Sequence, residues 1–452
     1  MELEGLLQGK NSVLYGSVSN SVLYEKLSNT IHFGQREKLE ELQRRIEEVD
    51  YYPTFESDSL KKSKSDKLSM LLLEVTEQCN FRCSYCIYSE FYPNERSETS
   101  KKMSFDIAKK AIDDLVSLSG SNIMMGFYGG EPLLNMGLIQ QVIEYSKEKF
   151  PSKEFGFSMT TNFFNADRYI HELVDNGMYI HLSLDGPKEV HNKSRITRTG
   201  KPTYDKIISN LRKMEEYSPG YTNSHVFVLS TCNDPDDLLR IIDFFEQGEY
   251  FVTHINSPDP KGRITSEKRT PNTDLGEILV EKFTERILGG EDPKMLRRLF
   301  DQDLKSVAVR DLRVMPPKLM LNGSCYPGKK RIFVDTDGNY HPCERFGHRL
   351  KIGSIENGIQ QELVNGAIES FVQIRNELCG ECWAQRICAP CLQHAKDPEG
   401  EISLEGLSQI CEGKRRQLLI GLENYVTLVQ LDEQKAEDYI KSINPLFERR
   451  LV

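Results

Sequence analysis

Short apolar runs, rich in strand-forming residues, alternate with helical patterns through the middle of the chain. The apolar runs have the length and composition of buried strands. They lie at Leu68–Thr76, Asn122–Tyr128, Glu154–Thr161, Met178–Leu184, His225–Thr231 and Tyr250–Ile255. The helical patterns lie at Phe105–Leu118, Leu138–Lys149, Tyr204–Glu216, Asp236–Gln247 and Leu275–Leu288. This alternation predicts an α/β fold in which right-handed crossovers join the strands of a parallel sheet.

Six strand–helix units predict a partial (β/α)6 TIM barrel, because a closed eight-stranded barrel needs more chain. Ligands of parallel α/β sheets bind at the carboxyl ends of the strands. Candidate residues follow the first four predicted strands at that edge, at Cys79, Gly129–Pro132, Asn162 and Ser183–Pro187. The sequence therefore predicts that these motifs form one site.

Residues 1–67 have a different pattern. Two short strands, a charged helix and a polar linker are predicted there, at Ser12–Tyr15, Ser21–Tyr24, Gln35–Val49 and Glu56–Lys67. The region is expected to be either a small recognition domain or a helical extension that covers the barrel.

The part of the chain after the barrel is cysteine-rich and then helical. Helices are predicted at Arg415–Leu431 and Glu433–Ser442. The predicted domains are an N-terminal extension, the barrel, a cysteine-rich domain and terminal helices, with bounds 1–67, 68–290, 310–412 and 413–452.

Composition narrows the classes of function. The net charge of −10 argues against nucleic-acid binding, which usually needs a basic surface. No apolar run approaches the ~20 residues that span a bilayer, and the N-terminus does not resemble a secretory signal. A cytoplasmic protein with no membrane partner is expected. In a reducing cytoplasm, eleven cysteines indicate metal binding or catalysis rather than disulfides.

Cys79, Cys83 and Cys86 form a C-x3-C-x2-C motif, with Tyr85 directly before the third cysteine. Three local thiolates leave one iron of a cubane cluster without a protein ligand, whereas most iron–sulfur clusters are held by four cysteines. An exogenous ligand is therefore expected. A zinc site is the alternative, but tetrahedral zinc needs a fourth Cys or His, and none lies nearby in the sequence.

This motif resembles the hallmark of the radical S-adenosylmethionine (SAM) superfamily, and the resemblance covers roughly Leu68 to Leu288. It implies a catalytic 4Fe–4S cluster at the three cysteines and SAM as cofactor. Residues implied to contact SAM are Tyr85, Gly129, Gly130, Glu131, Asn162, Ser183 and Arg195. Phe163 departs from the family pattern, because relatives often have glycine after the asparagine.

A second set of cysteines lies at Cys325, Cys343, Cys379, Cys382, Cys388, Cys391 and Cys411. The spacing resembles the SPASM domain, an auxiliary-cluster module of radical enzymes that modify peptides and proteins. One departure is the two-residue spacing before Cys391, where the family has three. A pair of zinc ribbons, completed by His341 and His394, is the alternative.

The resemblance implies two auxiliary 4Fe–4S clusters and thus three clusters in all. One would be held by Cys379, Cys382, Cys388 and Cys411. The other would have only Cys325, Cys343 and Cys391, since Cys232 is expected to be a buried apolar residue. An auxiliary iron that lacks a protein ligand suits a substrate thiolate.

The leading hypothesis is a maturase of a ribosomally made precursor peptide, similar to sactisynthases. A 5′-deoxyadenosyl radical would abstract hydrogen from the peptide, and a Cys sulfur would couple to the carbon as a thioether. The leader would bind a winged-helix-like N-terminal domain by strand addition. A small electron donor such as flavodoxin or ferredoxin would serve the clusters.

Three alternatives remain open from the sequence. The chain is also compatible with an anaerobic sulfatase maturase that oxidises Cys or Ser to formylglycine. Epimerisation and carbon–carbon crosslinking are further radical modifications. The third alternative is a non-catalytic iron–sulfur or zinc protein.

Overall fold

The computed structural model describes most of the chain. The described residues are 5–57, 67–89, 92, 96–248, 251–258, 286, 291, 294–308, 310, 313–321, 323, 325–397 and 399–431. The predicted helices Leu275–Leu288, apart from Arg286, and Glu433–Ser442 lie outside these residues. Most of the predicted linker Glu56–Lys67 also lies outside them. No helix in the described ranges is both long enough and apolar enough to cross a membrane.

The N-terminal region folds as an antiparallel meander followed by one helix. Its elements are β1 (Leu7–Gln8), β2 (Ser12–Gly16), β3 (Ser21–Glu25), β4 (Thr30–Gly34) and α1 (Arg36–Glu47). Because side chains alternate between the faces of a strand, Leu14 and Leu23 pack on α1. Their neighbours Tyr15 and Tyr24 enter the main core.

The winged-helix-like form expected for residues 1–67 stays a prediction. The two predicted strands are present as β2 and β3, but β1 and β4 extend them into a four-stranded sheet. The periodic apolar positions of β4 are few, which explains why the sequence pattern does not reveal this strand.

Six parallel strands form the barrel. They are β6 (Leu68–Thr76), β7 (Ser119–Gly129), β8 (Glu154–Thr161), β9 (Tyr179–Ser183), β10 (Val226–Thr231) and β11 (Phe251–Asn256), after a short strand β5 (Thr54–Phe55). Each barrel strand pairs with the next in parallel register. The predicted partial (β/α)6 barrel is confirmed, and it is not closed.

Helices occupy the crossovers between the barrel strands. They are α2 (Phe105–Leu115), α3 (Met136–Lys149), α4 (Ile170–Asp175), α5 (Lys188–Ser194), α6 (Tyr204–Tyr217), α7 (Tyr221–His225) and α8 (Leu238–Gln247). Helix α2 illustrates why they form where they do. Its N-terminus is capped by Ser104, whose side chain accepts a hydrogen bond from the Ile107 amide. Its buried residues Ala108, Ile112 and Leu115 recur at helical spacing and face the sheet.

The barrel sheet continues into the C-terminal region, which the sequence pattern does not predict. Helix α9 (Lys294–Ala308) and strand β12 (Lys318–Leu319), which pairs with β5, precede this continuation. Strand β13 (Arg331–Val334) then pairs in parallel with β6. The antiparallel strands β14 (Asn339–His341), β15 (Gly353–Ser354) and β16 (Gly358–Ile359) complete a ten-stranded sheet. The first barrel strand is therefore paired on both sides.

Two long helices follow, α10 (Gln361–Cys379) and α11 (Leu404–Leu431). The predicted helix Arg415–Leu431 is the later part of α11, which begins eleven residues earlier and contains Cys411. The predicted domain bound between residues 412 and 413 therefore lies inside a helix.

The N-terminal meander contacts the segment after α10 directly. The buried Lys26 ammonium donates to the carbonyl of Gly380 at 2.9 Å. The Trp383 indole donates to Gln8 Oε1 at 3.1 Å, and its ring meets Tyr24 edge to face. The Arg386 guanidinium donates to the Lys26 carbonyl at 3.2 Å. Residues far apart in the chain thus form one interface.

Candidate functional site

The carboxyl ends of the barrel strands adjoin a cavity of about 2040 Å³. Every barrel residue predicted for the site lines this cavity, namely Cys79, Cys83, Cys86, Tyr85, Gly129, Gly130, Glu131, Asn162, Ser183 and Arg195. Glu344 and Arg345, which follow Cys343, line another part of it. Gln393 and His394, which follow Cys391, do so as well.

The loop after β6 holds its cysteines with short-range hydrogen bonds. The Phe81 amide donates to the Cys79 sulfur and the Tyr88 amide to the Cys86 sulfur, each at 3.4 Å. The Cys86 amide donates to the Cys83 carbonyl at 3.1 Å, which closes a tight turn. The three thiols thus have fixed backbone positions without any ligand.

Burial dominates the electrostatics of these thiols. It raises the pKa of Cys83 to about 12, although the neighbouring Arg195 charge opposes that shift. It also raises the pKa of Cys79, and there Glu131 and the thiolates of Cys83 and Cys86 add to the effect. Mutually repelling thiolates in a buried site are the arrangement that a bound cation stabilises.

The two glycines after β7 allow a close approach between two backbone segments. Gly129 has φ 137°, and a methyl group there would overlap the Thr76 carbonyl oxygen. A methyl group at Gly130 would overlap the Gln78 carbonyl oxygen. The Gly130 amide donates to the Thr76 carbonyl at 2.8 Å, and the Glu131 amide donates to the Gln78 carbonyl at 2.7 Å. These glycines therefore fasten the cysteine loop to the end of the second strand.

The Glu131 carboxylate is buried and accepts three hydrogen bonds from the chain. The donors are the Leu133 amide at 3.1 Å, the Thr161 hydroxyl at 2.5 Å and the Asn162 amide at 2.7 Å. Burial raises its pKa to about 7, against the lowering by these donors. The carboxylate joins the ends of the second and third strands at the cavity wall.

Asn162 joins the third strand to the cysteine loop. Its side-chain amide donates to Asn80 Oδ1 at 2.7 Å and lies 3.9 Å from the Cys79 sulfur. The next residue, Phe163, has φ 59°, the left-handed conformation that glycine adopts without strain. Phe163 is fully buried, so its core packing offsets the strain of that conformation.

Asp185, which follows the fourth barrel strand β9, accepts most of the hydrogen bonds that order this part of the site. Its carboxylate accepts from Arg195 Nε at 3.0 Å, from the Thr231 amide at 3.1 Å and from the Tyr85 hydroxyl. Arg195 Nη1 lies 3.9 Å from the Cys83 sulfur, and its guanidinium lies 5.3 Å from the Tyr85 ring centroid. Tyr85 and Arg195 are thus positioned by Asp185, which lies in the predicted segment Ser183–Pro187 but has no role assigned to it by the sequence analysis.

His191 contacts Asp185 on another side of this hydrogen-bond network through the Asp185 backbone amide. Its Nδ1 accepts from the Asp185 amide at 3.3 Å, and its Nε2 meets the Thr203 hydroxyl at 3.0 Å. That hydroxyl donates to the Arg195 carbonyl at 2.6 Å, so Nε2 carries the proton. Burial lowers the pKa of His191 to about 4, and the amide aimed at Nδ1 leaves no room for a second proton.

A buried ion pair connects the barrel with the C-terminal region. Arg96 and Glu74 on β6, whose side chains are both fully buried, are 3.2 Å apart. Arg96 also donates to the Tyr88 hydroxyl at 2.7 Å and to the Glu344 carbonyl at 2.5 Å. His348 Nε2 contacts the second Glu74 oxygen at 2.9 Å. The chain after Cys86 and the chain after Cys343 therefore share one polar network.

Four of the C-terminal cysteines are electrostatic neighbours. Burial raises the pKa of the Cys388 thiol to about 12; Arg375 opposes the shift, and the thiolates of Cys379 and Cys382 add to it. For Cys379, burial again raises the pKa, and Cys382 and Cys411 are among the charges that raise it further. Cys379, Cys382, Cys388 and Cys411 thus form a distal cysteine group.

The other three form a second group. Burial raises the pKa of Cys343 to about 12, and the Cys391 thiolate contributes. Burial likewise raises the pKa of Cys391, where Cys325 contributes. We call Cys325, Cys343 and Cys391 the proximal cysteine group, because residues that follow Cys343 and Cys391 line the cavity.

Cys232 and His341 belong to neither group. Cys232 is buried at the end of β10, and its sulfur contacts the Asp234 carbonyl at 3.1 Å. His341 uses both ring nitrogens, one toward Asp335 Oδ2 and one toward the Leu350 carbonyl, each at 3.0 Å. Both nitrogens of His341 are thus engaged, which leaves neither for a metal.

Comparison with known proteins assigns the barrel. The family model of the radical SAM superfamily matches residues 73–245, which include the cysteine loop and the first five barrel strands. Residues 73–245 therefore form a radical SAM domain. The family implies SAM and a 4Fe–4S cluster as cofactors.

Relatives and solved structures extend this likeness beyond the radical SAM domain. The cysteine-type anaerobic sulfatase-maturating enzyme of Clostridium perfringens is 23% identical over 359 residues, covering 76% of this chain and 94% of the relative. That of Clostridium novyi is 24% identical over 347 residues, covering 73% and 89%. The structure of native anSMEcpe with bound AdoMet has 19% identity and a TM-score of 0.61, covering 84% of this chain and 100% of the other. This structural likeness shows a shared fold.

The residues of the radical SAM domain fit the implied cofactors. Three soft thiolate donors converge on the cavity, and the Arg195 and Asn162 side chains already lie near two of their sulfurs. The space beside them is far larger than a cluster requires. Sequence reasoning assigned no role to Asp185, Asn80 or Thr161. Only the Asp185-Gly186-Pro187 turn carries a local signal, and the roles of the others depend on tertiary contacts.

Proposed function

We propose that this radical SAM enzyme is a maturase that modifies a peptide or protein. The observation that carries the proposal is the single cavity shared by the cysteine loop and by the residues after Cys343 and Cys391. Its volume of about 2040 Å³ exceeds the 300–1,000 Å³ typical of small-molecule pockets, so a peptide segment fits beside SAM. The likeness to sulfatase-maturating enzymes supports the same class of substrate.

In this proposal Cys79, Cys83 and Cys86 hold the 4Fe–4S cluster. When bound there, the cluster and SAM supply a 5′-deoxyadenosyl radical. Glu131 is placed to offset the SAM ammonium, and its three hydrogen-bond donors hold it in position. Tyr85, Asn162, Ser183 and Arg195 would surround the rest of the cofactor, with Gly129 and Gly130 keeping the loop close.

The two C-terminal cysteine groups would hold auxiliary clusters of a SPASM-type module at residues 310–412. The distal cysteine group offers four thiolates, a full set for one cubane cluster. The proximal cysteine group offers three. Cys232 does not supply the missing ligand, since it is buried at the end of a barrel strand and bonded to its own turn.

The incomplete proximal set favours a thioether product. A substrate Cys sulfur is a soft anionic ligand that would suit the remaining coordination position. It would be held beside the cavity that also contains the radical site. The 5′-deoxyadenosyl radical would take a hydrogen atom from the carbon, the thiol would give up a proton on binding, and the electron left over as the C–S bond forms would pass to the auxiliary clusters.

Residues 1–67 would recognise the leader of the precursor peptide. Strand β4 lies at one end of the N-terminal sheet, and its outer edge has no partner strand among the described residues. A peptide strand could add there with main-chain hydrogen bonds. Phe33 on β4 is 43% exposed and would contact a side chain of the added strand. A small flavodoxin or ferredoxin is the proposed electron donor.

Anaerobic reconstitution tests the cofactor assignment. The wild-type chain should bind about twelve irons, four for each cluster, and release deoxyadenosine with dithionite. Cys83→Ser should lose about four irons and all cleavage of SAM. Cys232→Ser is the matched control and should keep both. Bound zinc without SAM cleavage would contradict the proposal.

The product is tested with a short Cys-bearing peptide from a neighbouring open reading frame, coexpressed with the chain. Mass spectrometry should show the loss of two hydrogens and one fewer thiol that reacts with iodoacetamide. A product that keeps its full thiol count would exclude a thioether.

Formylglycine formation is the second candidate, favoured by the sulfatase-maturating relatives. It would remove sulfur from a Cys peptide and leave an aldehyde that a hydrazide captures. Epimerisation would leave the mass unchanged, and a carbon–carbon crosslink would remove two hydrogens while sparing every thiol. These four outcomes separate the radical modifications.

A further inference from the structure

Arg375 is a fully buried cation whose charge is poorly neutralised within the described residues. Its side chain lies on α10 one turn before Cys379, so the two residues share a face of the helix. The Nε and Nη1 atoms have no hydrogen-bond partner in the described part of the chain. Nη2 donates a long bond of 3.4 Å to the Cys388 carbonyl, and the Arg375 side chain also donates toward the Cys379 sulfur. A buried guanidinium with two unused nitrogens requires an anion nearby.

The anions beside Arg375 are the sulfurs of the distal cysteine group. Arg375 precedes Cys379 by one turn of α10, and its Nη2 donates to the backbone carbonyl of Cys388, so the guanidinium lies beside two residues of this group. Cys382 and Cys411 are neighbours of those two sulfurs. Four thiolates around a cubane cluster carry net negative charge, which provides the anion that the guanidinium lacks.

The guanidinium of Arg375 also contacts the N-terminal region. The guanidinium lies 4.1 Å from the ring centroid of Phe55 on β5. The Phe55 amide donates to Asn376 Oδ1 at 2.6 Å, and Asn376 Nδ2 donates to the Phe55 carbonyl at 3.3 Å. The ring is buried and fixed through its own backbone, so Phe55 restricts the position of the cation that lies beside Cys379 and Cys388.

We propose that Arg375 is a charge-compensating residue for the auxiliary cluster of the distal cysteine group, and that Phe55 holds it there. A positive charge that donates to cluster sulfur stabilises the reduced, more negative state. Arg375 therefore raises the reduction potential of this cluster and makes it the better electron acceptor of the two auxiliary clusters. The inference rests on the proposed function, which assigns a cluster to these cysteines.

The test is a redox titration of the reconstituted full-length chain, monitored by electron paramagnetic resonance. Arg375→Met keeps the bulk of the side chain and removes its charge. It should shift one midpoint potential to a more negative value and leave the other two unchanged. Arg375→Lys should restore part of the shift. Identical potentials in wild type and Arg375→Met would overturn the inference.

Two further variants show whether a shift in potential comes from the loss of the Arg375 charge or from misfolding and loosened packing. Phe55→Leu keeps an apolar side chain and the backbone bonds to Asn376, and it should shift the same potential in the same direction by a smaller amount. Arg310→Met is the matched control, because Arg310 also joins the N-terminal region to a helix, through the Asn29 carbonyl and the Tyr425 ring. It should move no potential. A shift equal to that of Arg375→Met would attribute the effect to loosened packing and overturn the inference.

Iron content separates this inference from the proposed function. About four irons in the wild-type chain would overturn the auxiliary clusters and the role of Arg375 together. About twelve irons, together with midpoint potentials that are the same in wild type and Arg375→Met, would overturn only the role of Arg375.

Discussion

The cysteine loop of the barrel and the C-terminal cysteine groups differ in what holds them. The loop is fastened to the strand ends by Gly130, Asn162 and Arg195, so its thiols are positioned by a hydrogen-bonded scaffold. The distal cysteine group lies at a helix end, in the turns of residues 380–391 and on α11. Cys325 in the proximal group is exposed on an irregular segment.

This difference indicates two relations between metal and fold. The barrel builds its site from regular secondary structure, and the metal adds chemistry to a preformed pocket. In the C-terminal region the sulfurs lie on separate segments of the chain, which a bound metal would join, so metal binding there would contribute folding free energy. The four predictions below test this division, beginning with the largest effect.

Removing one ligand from each region compares the two relations directly. Cys388→Ser should lower the Tm of the iron-loaded chain by about 10–20 °C, because the distal turns lose their crosslink. Cys83→Ser should abolish deoxyadenosine release but change Tm by no more than about 4 °C. Calorimetry under anaerobic conditions measures both. Equal shifts in Tm would contradict the division.

The buried pair of Arg96 and Glu74 tests how strongly the two regions depend on each other. Glu74→Gln leaves the Arg96 charge uncompensated and should lower the free energy of unfolding by about 3–5 kcal/mol. The control is Glu356→Gln, which removes the exposed pair with Lys110 that also joins α2 to the C-terminal region. It should cost less than about 1 kcal/mol. Denaturant unfolding measures both values, and a similar loss in the two variants would refute the expectation.

Gly129 tests whether the barrel loop is set by backbone packing. Gly129→Ala places a methyl group against the Thr76 carbonyl at φ 137° and should cost about 2–4 kcal/mol. It should also weaken SAM binding measured by calorimetry, since the cysteine loop must move. Gly137→Ala on α3, where a methyl group meets nothing within 4 Å, should instead be neutral or stabilise by up to about 1 kcal/mol.

The buried His191 should make the stability of the barrel depend on pH. Its pKa is lowered to about 4 in the fold, so the unfolded chain binds more protons at mild acidity. Between pH 7 and pH 5 the free energy of unfolding should therefore fall by about 2 kcal/mol. The fall should cease below the pKa that His191 has in the folded chain. His191→Gln should remove this part of the slope in apo-protein unfolding. An unchanged slope would show that His191 does not titrate as described.

Sequence reasoning placed the barrel well because its strands are long and buried on both faces. Leu68–Thr76 and Glu154–Thr161 were predicted with the bounds that the structure has. Such strands give continuous apolar runs that flanking turn residues delimit. Strand β13 escaped detection because it is four residues long and joins β6 without the usual spacing of a crossover unit.

The residues of the site were harder to predict than its location. Cys79, Cys83, Cys86 and Glu131 belong to local motifs, whereas Asp185 acquires its role through contacts 10, 46 and 100 residues away. No local pattern encodes such contacts. The assignment of the seven C-terminal cysteines to two auxiliary clusters stays a prediction. The structure adds which of these cysteines are neighbours.

The contact between Lys26 and Gly380 has a consequence for the time course of biosynthesis. The two residues are separated by 354 positions. At 5–20 residues per second, a ribosome needs about 20–70 s to add the chain between them. The N-terminal meander therefore cannot make this contact until nearly the whole chain has emerged. Until then the face that carries Tyr15 and Tyr24 stays uncovered. Its docking is a late, post-translational event, and the interval defines a window in which a chaperone or a cluster-delivery protein can reach that face.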